Sequence, residues 1–189
     1  MTKVRWTETA AADLASIRDY VGRDAPHNMT PMAPAKRAKS DRQYAFKVWL
    51  KRRRSIWRTI VLRGDQTLDD LHAAIGTAYE RDDDHLYAFY MPKAPARRAR
   101  SESRAKEYVS PIGYQFDRLL AHRRFDASVV TLDELPFKAS QSFEYLFDFG
   151  DEWWHEITVE AIGTSSRAQS YPQFGKRKGA SPAQYAEEE

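Results

Sequence analysis

The stretch that decides the fold is residues 145–157, YLFDFGDEWWHEI, in the last third of the chain. Gly150, Asp151 and Glu152 form a turn signal between two runs in which large apolar residues recur at every second position. A period of two is typical of β-strands whose two faces differ in burial. We therefore predict an antiparallel hairpin with strands at 142–149 and 153–162.

The register of this hairpin follows from the apolar side chains. The favoured pairs are Phe143 with Val159, Tyr145 with Ile157, and Phe147 with His155. This pairing brings alternate side chains together on one buried face. It sends Asp148 to the opposite face from His155, beside Trp154, and so disfavours a site in which Asp148 and His155 bind one metal ion.

Similar patterns upstream predict the rest of a domain. They indicate strands at 44–50, 56–62 and 85–91, a helix from Thr67 to about Tyr79, and a short helix from Thr131. Asp70 follows Thr67 at the spacing of a capping box. The predicted fold class is α+β: a mainly antiparallel sheet of about five strands with helices packed against it, preceded by a short strand-helix extension.

Composition shifts divide the chain into four zones. Residues 1–25 form the strand-helix extension, and residues 26–43, with three prolines and few large apolar residues, form a linker. The domain occupies 44–162, and 163–189 is a polar tail that we expect to be loose.

Bulk composition excludes several classes of protein. The chain has no cysteine, which rules out disulfides, cysteine-bound zinc, iron–sulfur clusters and a thiol nucleophile. With no signal peptide and no long apolar run, we expect a cytoplasmic protein without a membrane partner. The 30 basic and 27 acidic residues leave a net charge of +3, which permits a nucleic-acid partner without requiring one. We expect no cofactor.

Four segments carry a resemblance to a known family. They are SIWR at 55–58, TLDDLH at 67–72, DDDHLY at 82–87 and the hairpin segment at 145–157. In order and spacing the chain resembles the plasmid pRiA4b ORF-three-like family, also labelled the insertion-sequence passenger TnpR family, over about 44–162. The resemblance implies an α+β fold and an uncharacterised accessory protein of plasmids or mobile elements, carried as a transposon passenger, with no established activity.

A weaker resemblance covers residues 3–26. This segment resembles the start of a ParE/RelE-type toxin. The rest of that small fold does not follow in the sequence, so no functional residue of the toxin is assigned to this chain. The fragment is interpreted as a fusion remnant. The alternative is a docking element for a protein partner related to toxin–antitoxin systems.

Two basic loops are candidates for nucleic-acid binding, because arginine donates bidentate hydrogen bonds to phosphate. The candidate residues are Lys51, Arg52, Arg53, Arg54, Arg58, Arg97, Arg98, Arg100 and Arg104. An ordinary solvated surface explains such runs about equally well.

A set of acidic residues and histidines is the candidate metal site, since carboxylates and imidazoles are suitable ligands. Its members are Asp84, His85, Asp148, Asp151 and His155. Core-edge histidines and turn carboxylates are the favoured interpretation of the same residues. We therefore predict a non-enzymatic binding module that contacts nucleic acid weakly and with strong salt dependence. A metal-dependent hydrolase or nuclease is the alternative.

Overall fold

The computed structural model describes residues 38–82, 85–92, 105–119 and 124–184. The chain divides into two units between Arg37 and Ala38, and every described residue belongs to the second unit. The predicted N-terminal extension and most of the predicted linker therefore lie outside the described residues.

Eight strands in the described ranges form one sheet. Their bounds are β1 Arg42–Leu50, β2 Trp57–Arg63, β3 Tyr87–Pro92, β4 Ala105–Val109, β5 Phe125–Asp126, β6 Ser142–Phe147, β7 Trp153–Thr164 and β8 Gln173–Lys178. The strand order is β5-β4-β3-β6-β7-β1-β2-β8. Strands β4 and β5 are parallel, and all other neighbouring pairs are antiparallel.

Two α-helices are present in the same ranges, α1 at Leu68–Tyr79 and α2 at Pro111–Leu119, with a 3-10 turn at Leu132–Glu134. The Thr67 hydroxyl accepts from the Asp70 amide, and the Asp70 carboxylate accepts from the Thr67 amide at 2.7 Å. The capping-box prediction for α1 is therefore confirmed. The helix ends at Glu80, which adopts a left-handed conformation with φ 56°. The next amide, Arg81 N–H, donates to the Gly76 carbonyl at 3.0 Å.

The predicted fold class is wrong. Within the described residues, the structure is a large mixed sheet with two small helices, more sheet-rich than the predicted α+β fold of about five strands. The additional strands β4, β5 and β8 come from segments whose patterns did not indicate strands. Five of the six residues of β8 are exposed, so no alternation of burial marks it in the sequence. Residues 173–178, predicted to lie in a loose tail, instead pair with β2.

The main core lies between α1 and one face of the sheet. Alternate residues of β1 point into it, and Tyr44, Phe46 and Val48 are fully buried. From α1, Leu71 and Ile75 join the same apolar cluster. Burial of one such side chain contributes about 1.5–3 kcal/mol, so this contact fixes the position of α1 on the sheet.

The β6–β7 hairpin differs from its predicted register by two residues. The observed pairs are Phe143 with Ile157, Tyr145 with His155, and Phe147 with Trp153. The inward direction of the odd-numbered residues is confirmed, since Phe143, Tyr145 and Phe147 are all buried. The pairing is shifted because the turn spans residues 148–152 and centres on Gly150, with Asp148 and Glu152 at positive φ.

No helix within the described ranges has the length and apolar character needed to cross a membrane.

Candidate ligand-binding site

A cavity of about 460 Å³ lies between the C-terminal half of α1 and strands β6 and β7. Side chains from all three elements line it, among them His72, Ile75, Tyr145, Phe147 and His155. Cavities of roughly 300–1,000 Å³ with mainly apolar walls and a few polar groups are typical of small-molecule sites. The cavity is therefore the candidate functional site.

Arg81 contributes a buried cation to this cavity. Its three guanidinium nitrogens are inaccessible to solvent and hydrogen-bond to no residue in the described part of the chain. The guanidinium carbon lies 3.6 Å from the centre of the Trp153 ring, so one face of the cation is stacked. Burial lowers the pKa of Arg81, and nearby Tyr145, Tyr79 and Asp148 offset this only in part. The surroundings therefore disfavour the charge that Arg81 carries.

His155 contributes a neutral acceptor. It is fully buried, and its Nδ1 lies 2.9 Å from the Trp153 carbonyl oxygen, which can only accept. Nδ1 therefore carries the proton, and Nε2 presents a lone pair that no described group meets. Burial, reinforced by the charge of Arg81, lowers the pKa of His155 to about 3, so the ring is neutral near pH 7.

Trp153 is the third residue here with a buried polar atom that lacks a described partner, its indole N–H. Buried polar atoms are paired in the great majority of cases, and leaving one unpaired costs about 1–3 kcal/mol. Arg81 and His155 line the cavity, and Trp153 stacks on Arg81. A molecule bound in the cavity would therefore meet donors and an acceptor that no described residue satisfies.

Two other lining residues, His72 and Tyr145, are hydrogen-bonded within the chain. His72 Nδ1 lies 2.6 Å from the Tyr145 hydroxyl, and the His72 ring stacks on Tyr87 with centroids 3.8 Å apart. The Tyr87 hydroxyl in turn donates to Asp69. Burial, with Asp69 as acceptor, raises the pKa of Tyr87 above its ordinary value. This network holds His72 and Tyr145 rigidly in the wall.

The predicted metal residues do not converge. His85 Nε2 and Asp148 Oδ2 are 3.6 Å apart, but Asp148 Oδ1 is occupied by the amides of Gly150 at 2.8 Å and Asp151 at 3.3 Å. His155 instead pairs across the strands with Tyr145. Asp84 lies outside the described residues. Within those residues, no three histidine or carboxylate side chains come together to hold a metal ion.

The first predicted basic loop lies at the end of the β1–β2 hairpin. Lys51 pairs with Glu144 at 2.5 Å, Arg52 approaches Glu152 at 3.7 Å, and Arg54 pairs with Glu156. Arg53 is exposed. The second predicted loop, with Arg97, Arg98, Arg100 and Arg104, lies outside the described residues.

Arg58 differs from the other predicted phosphate contacts because it is buried, with 4% of its surface exposed. Its guanidinium donates to the carbonyls of Ala78 at 2.8 Å and of Trp57 and Lys178 at 3.0 Å, and to the Ser181 hydroxyl at 2.9 Å. Through these contacts Arg58 joins α1, β2 and the segment after β8. Its guanidinium is therefore not accessible to a phosphate backbone.

Sequence reasoning did not identify Arg81, His72, Tyr145 or Trp153 as site residues. No local pattern separates Arg81 from a solvated charge, because its burial depends on a strand far along the chain. The available signal was the position of Arg81 directly after the predicted C-terminus of the helix. A polar residue at such a position can be buried where the chain turns back toward the next strand.

Comparisons with known proteins give the family and the fold. A comparison with curated proteins finds no match. A crystal structure of a protein of unknown function from Methanosarcina mazei Go1 is similar, with a TM-score of 0.61 and 22% identity, covering 76% of this chain and 72% of that chain. At this identity the likeness concerns the fold alone. The family model described as plasmid pRiA4b ORF-3-like protein matches residues 42–186. The chain therefore belongs to the plasmid pRiA4b ORF-3-like family.

Proposed function

We propose that this protein is a non-enzymatic binding module and that the cavity between α1 and strands β6 and β7 takes up a small organic molecule. The observation that carries the proposal is Arg81, a buried guanidinium whose nitrogens have no hydrogen-bond partner in the described part of the chain. A ligand that supplied acceptors would remove the cost of burying this cation.

The character of His155 supports binding over proton transfer. A general acid or base works best when its pKa lies near the operating pH. The pKa of His155 is lowered to about 3, which makes its ring a poor base at neutral pH. The ring can still accept a hydrogen bond through Nε2.

The test blocks the cavity without touching its polar groups. A Cβ at Gly76 would meet only the Arg81 carbonyl oxygen, 3.8 Å away, so a side chain has room there. Gly76→Leu places a branched side chain at the cavity wall, and Gly76→Ala is the matched control that adds one methyl group. The probes are benzoate, benzamide, hexanoate and hexanamide at millimolar concentration, followed by the ring C–H signals of His155 and His72 in NMR spectra.

At least one probe is expected to shift the His155 signals in the wild-type protein and in Gly76→Ala, and to leave them unchanged in Gly76→Leu. If none of the four probes moves these signals, or if Gly76→Leu responds as Gly76→Ala does, the cavity is not a ligand site.

A second candidate function, contact with nucleic acid, is supported by the position of β8. This strand carries three exposed cations, Lys176, Arg177 and Lys178, and Lys178 pairs with Trp57 at the start of β2. The next residue, Gly179, lies against Ile56, so the end of β8 adjoins the loop that holds Lys51 to Arg54. Exposed ion pairs such as Arg52 with Glu152 contribute about 0–1 kcal/mol, so phosphate can replace the glutamates.

Fluorescence anisotropy with a labelled oligonucleotide, single-stranded and duplex, tests this second candidate between 50 and 200 mM salt, a range of about fourfold. The double variant Lys176→Ser/Arg177→Ser is expected to lower the slope of log affinity against log salt by about two. The control Lys39→Ser/Arg167→Ser removes two exposed cations near the start of β1 and is expected to leave the slope unchanged. Equal binding at low and high salt, or no binding, contradicts the proposal.

A further inference from the structure

We propose that the ligand of the cavity is a small monocarboxylate with an apolar body, held in the plane of the Arg81 guanidinium. This inference rests on the function proposed above and narrows it to one chemical class. Three features of the described residues carry it: the stacking of Arg81, the charge balance of the cavity, and the apolar part of its wall.

The stacking of Arg81 leaves its hydrogen-bonding edges for a ligand. The Trp153 ring covers one face of the guanidinium at 3.6 Å, and stacking uses none of the N–H donors. A guanidinium presents its donors in its own plane as a rigid fork, and that fork matches the two oxygens of a carboxylate. A planar acceptor that approaches the edge of Arg81 can therefore satisfy two of its buried donors together.

The charge balance favours one negative charge over two. Arg81 is the cation that lines the cavity, and His155 is neutral near pH 7. Glu80 and Asp82 lie on the same rim, where the C-terminal end of α1 also contributes negative potential. A phosphate dianion would meet this potential with a single compensating cation. A monocarboxylate adds only one negative charge beside Arg81, on which Asp148 already acts, and so leaves the smaller excess of negative charge.

The apolar wall accommodates the rest of the ligand. Ile75 and Phe147 line the cavity and are almost completely buried. The ring of Tyr145 also lines it, with its centroid 5.4 Å from that of His155. Burial of apolar ligand surface against such side chains is favourable by roughly 25 cal/mol per Å². The cavity therefore suits an acid with a hydrocarbon or aromatic body better than a small inorganic anion.

Matched acids and amides test the chemical class. Each acid differs from its amide, benzoate from benzamide and hexanoate from hexanamide, in charge but little in shape. Binding is followed by the rise in melting temperature of the full-length protein and by calorimetry, with inorganic phosphate as a further probe. At saturating concentration, at least one acid is expected to raise the Tm by roughly 2–5 °C, and its amide and phosphate by much less.

Two variants of Arg81 test the role of the fork. Arg81→Met keeps a long apolar side chain against Trp153 and removes the charge, and it is expected to raise the Tm of the ligand-free protein and to abolish the response to the acid. Arg81→Lys keeps a charge without the planar fork, and it is expected to bind the acid at least tenfold more weakly than the wild-type protein.

The outcomes separate the two proposals. If the amides bind as well as the acids, the cavity is a ligand site but not a carboxylate site. If phosphate gives the larger response, the charge argument is wrong. If Arg81→Met lowers the Tm of the ligand-free protein, Arg81 is held by the chain itself and the inference fails. If no probe binds the wild-type protein, both the carboxylate inference and the proposed function fail.

Discussion

Two arginines lie at the C-terminal end of α1, and their environments are opposite. Arg58 is buried beneath the helix end and donates to three carbonyls and one hydroxyl while its guanidinium lies 4.8 Å from the centre of the Tyr79 ring. Arg81, one residue beyond the helix cap, stacks on Trp153 with its donors unmatched by any described group. Both side chains combine a buried cation with an aromatic ring.

The difference in hydrogen bonding between the two arginines distinguishes a residue that stabilises the fold from a residue that serves a binding site. Arg58 closes contacts between elements that are distant in sequence, as a structural residue does. Arg81 makes no such hydrogen bond within the described residues, and its surroundings disfavour its charge. Residues that reduce stability locally are often found at binding sites, where a ligand completes their contacts. The comparison therefore assigns Arg58 to the fold and Arg81 to the site.

The largest effect on stability is expected from replacing Arg58. Arg58→Met leaves the carbonyls of Ala78, Trp57 and Lys178 without their donor, although the side chain still fills most of the space. We expect the free energy of unfolding to fall by about 3 kcal/mol. Urea denaturation followed by circular dichroism measures it, and a loss below about 0.5 kcal/mol would remove the contrast with Arg81.

The free energy of unfolding should depend on pH because of His155, which lines the cavity. Its pKa is about 3 in the folded protein, against an ordinary value of 6.5. Between these values the unfolded chain binds one proton more, so stability falls as the pH falls. From pH 6 to 4 this residue should cost about 2.5 kcal/mol, at about 1.4 kcal/mol per pH unit.

Urea denaturation at several pH values measures this effect. His155→Leu should flatten the pH dependence over this interval, because its side chain cannot titrate. Ile157→Val, at a buried position on the same strand, changes no titratable group; it is the control and should keep the wild-type slope. If His155→Leu and the wild-type protein have parallel pH profiles, the buried neutral imidazole is not the cause.

A smaller effect of opposite sign is expected at Arg81. Arg81→Met removes a buried cation whose burial nearby Asp148 offsets only in part and whose nitrogens hydrogen-bond to no described residue. Replacement of buried charges by apolar groups of similar size is often stabilising. We expect the free energy of unfolding to rise by about 1–2 kcal/mol, measured beside Arg58→Met under the same conditions. Equal losses in both variants would show that the two arginines play the same role.

The smallest effect tests a single contact of Arg58. Ser181→Ala removes the hydroxyl that accepts from the Arg58 guanidinium at 2.9 Å and leaves the three carbonyls in place. We expect a loss of about 0.5–1 kcal/mol, because one of four acceptors is lost at a partly buried position. Ser142→Ala, at an exposed position on β6, is the control.

Sequence patterns were sufficient where burial alternates. They predicted strands close to β1 and β2, and the inward faces of β6 and β7. They also predicted the capped start of α1, since Thr67 and Asp70 act locally. They failed at the sheet edges, where β8 buries almost nothing and its residues carry no pattern. They also missed Arg81, because its burial is created by Trp153 on a strand far along the chain, and no local feature records that contact.

The ends of the sheet have a consequence for how the protein behaves at high concentration. An exposed strand offers unpaired amides and carbonyls to a strand of another molecule, which is a route to aggregation. One outer strand here, β5, is two residues long, and the other, β8, carries lysine, arginine and lysine in succession. The shortness of β5 and the repulsion between the positive charges of two β8 strands should prevent the sheets of separate molecules from pairing edge to edge.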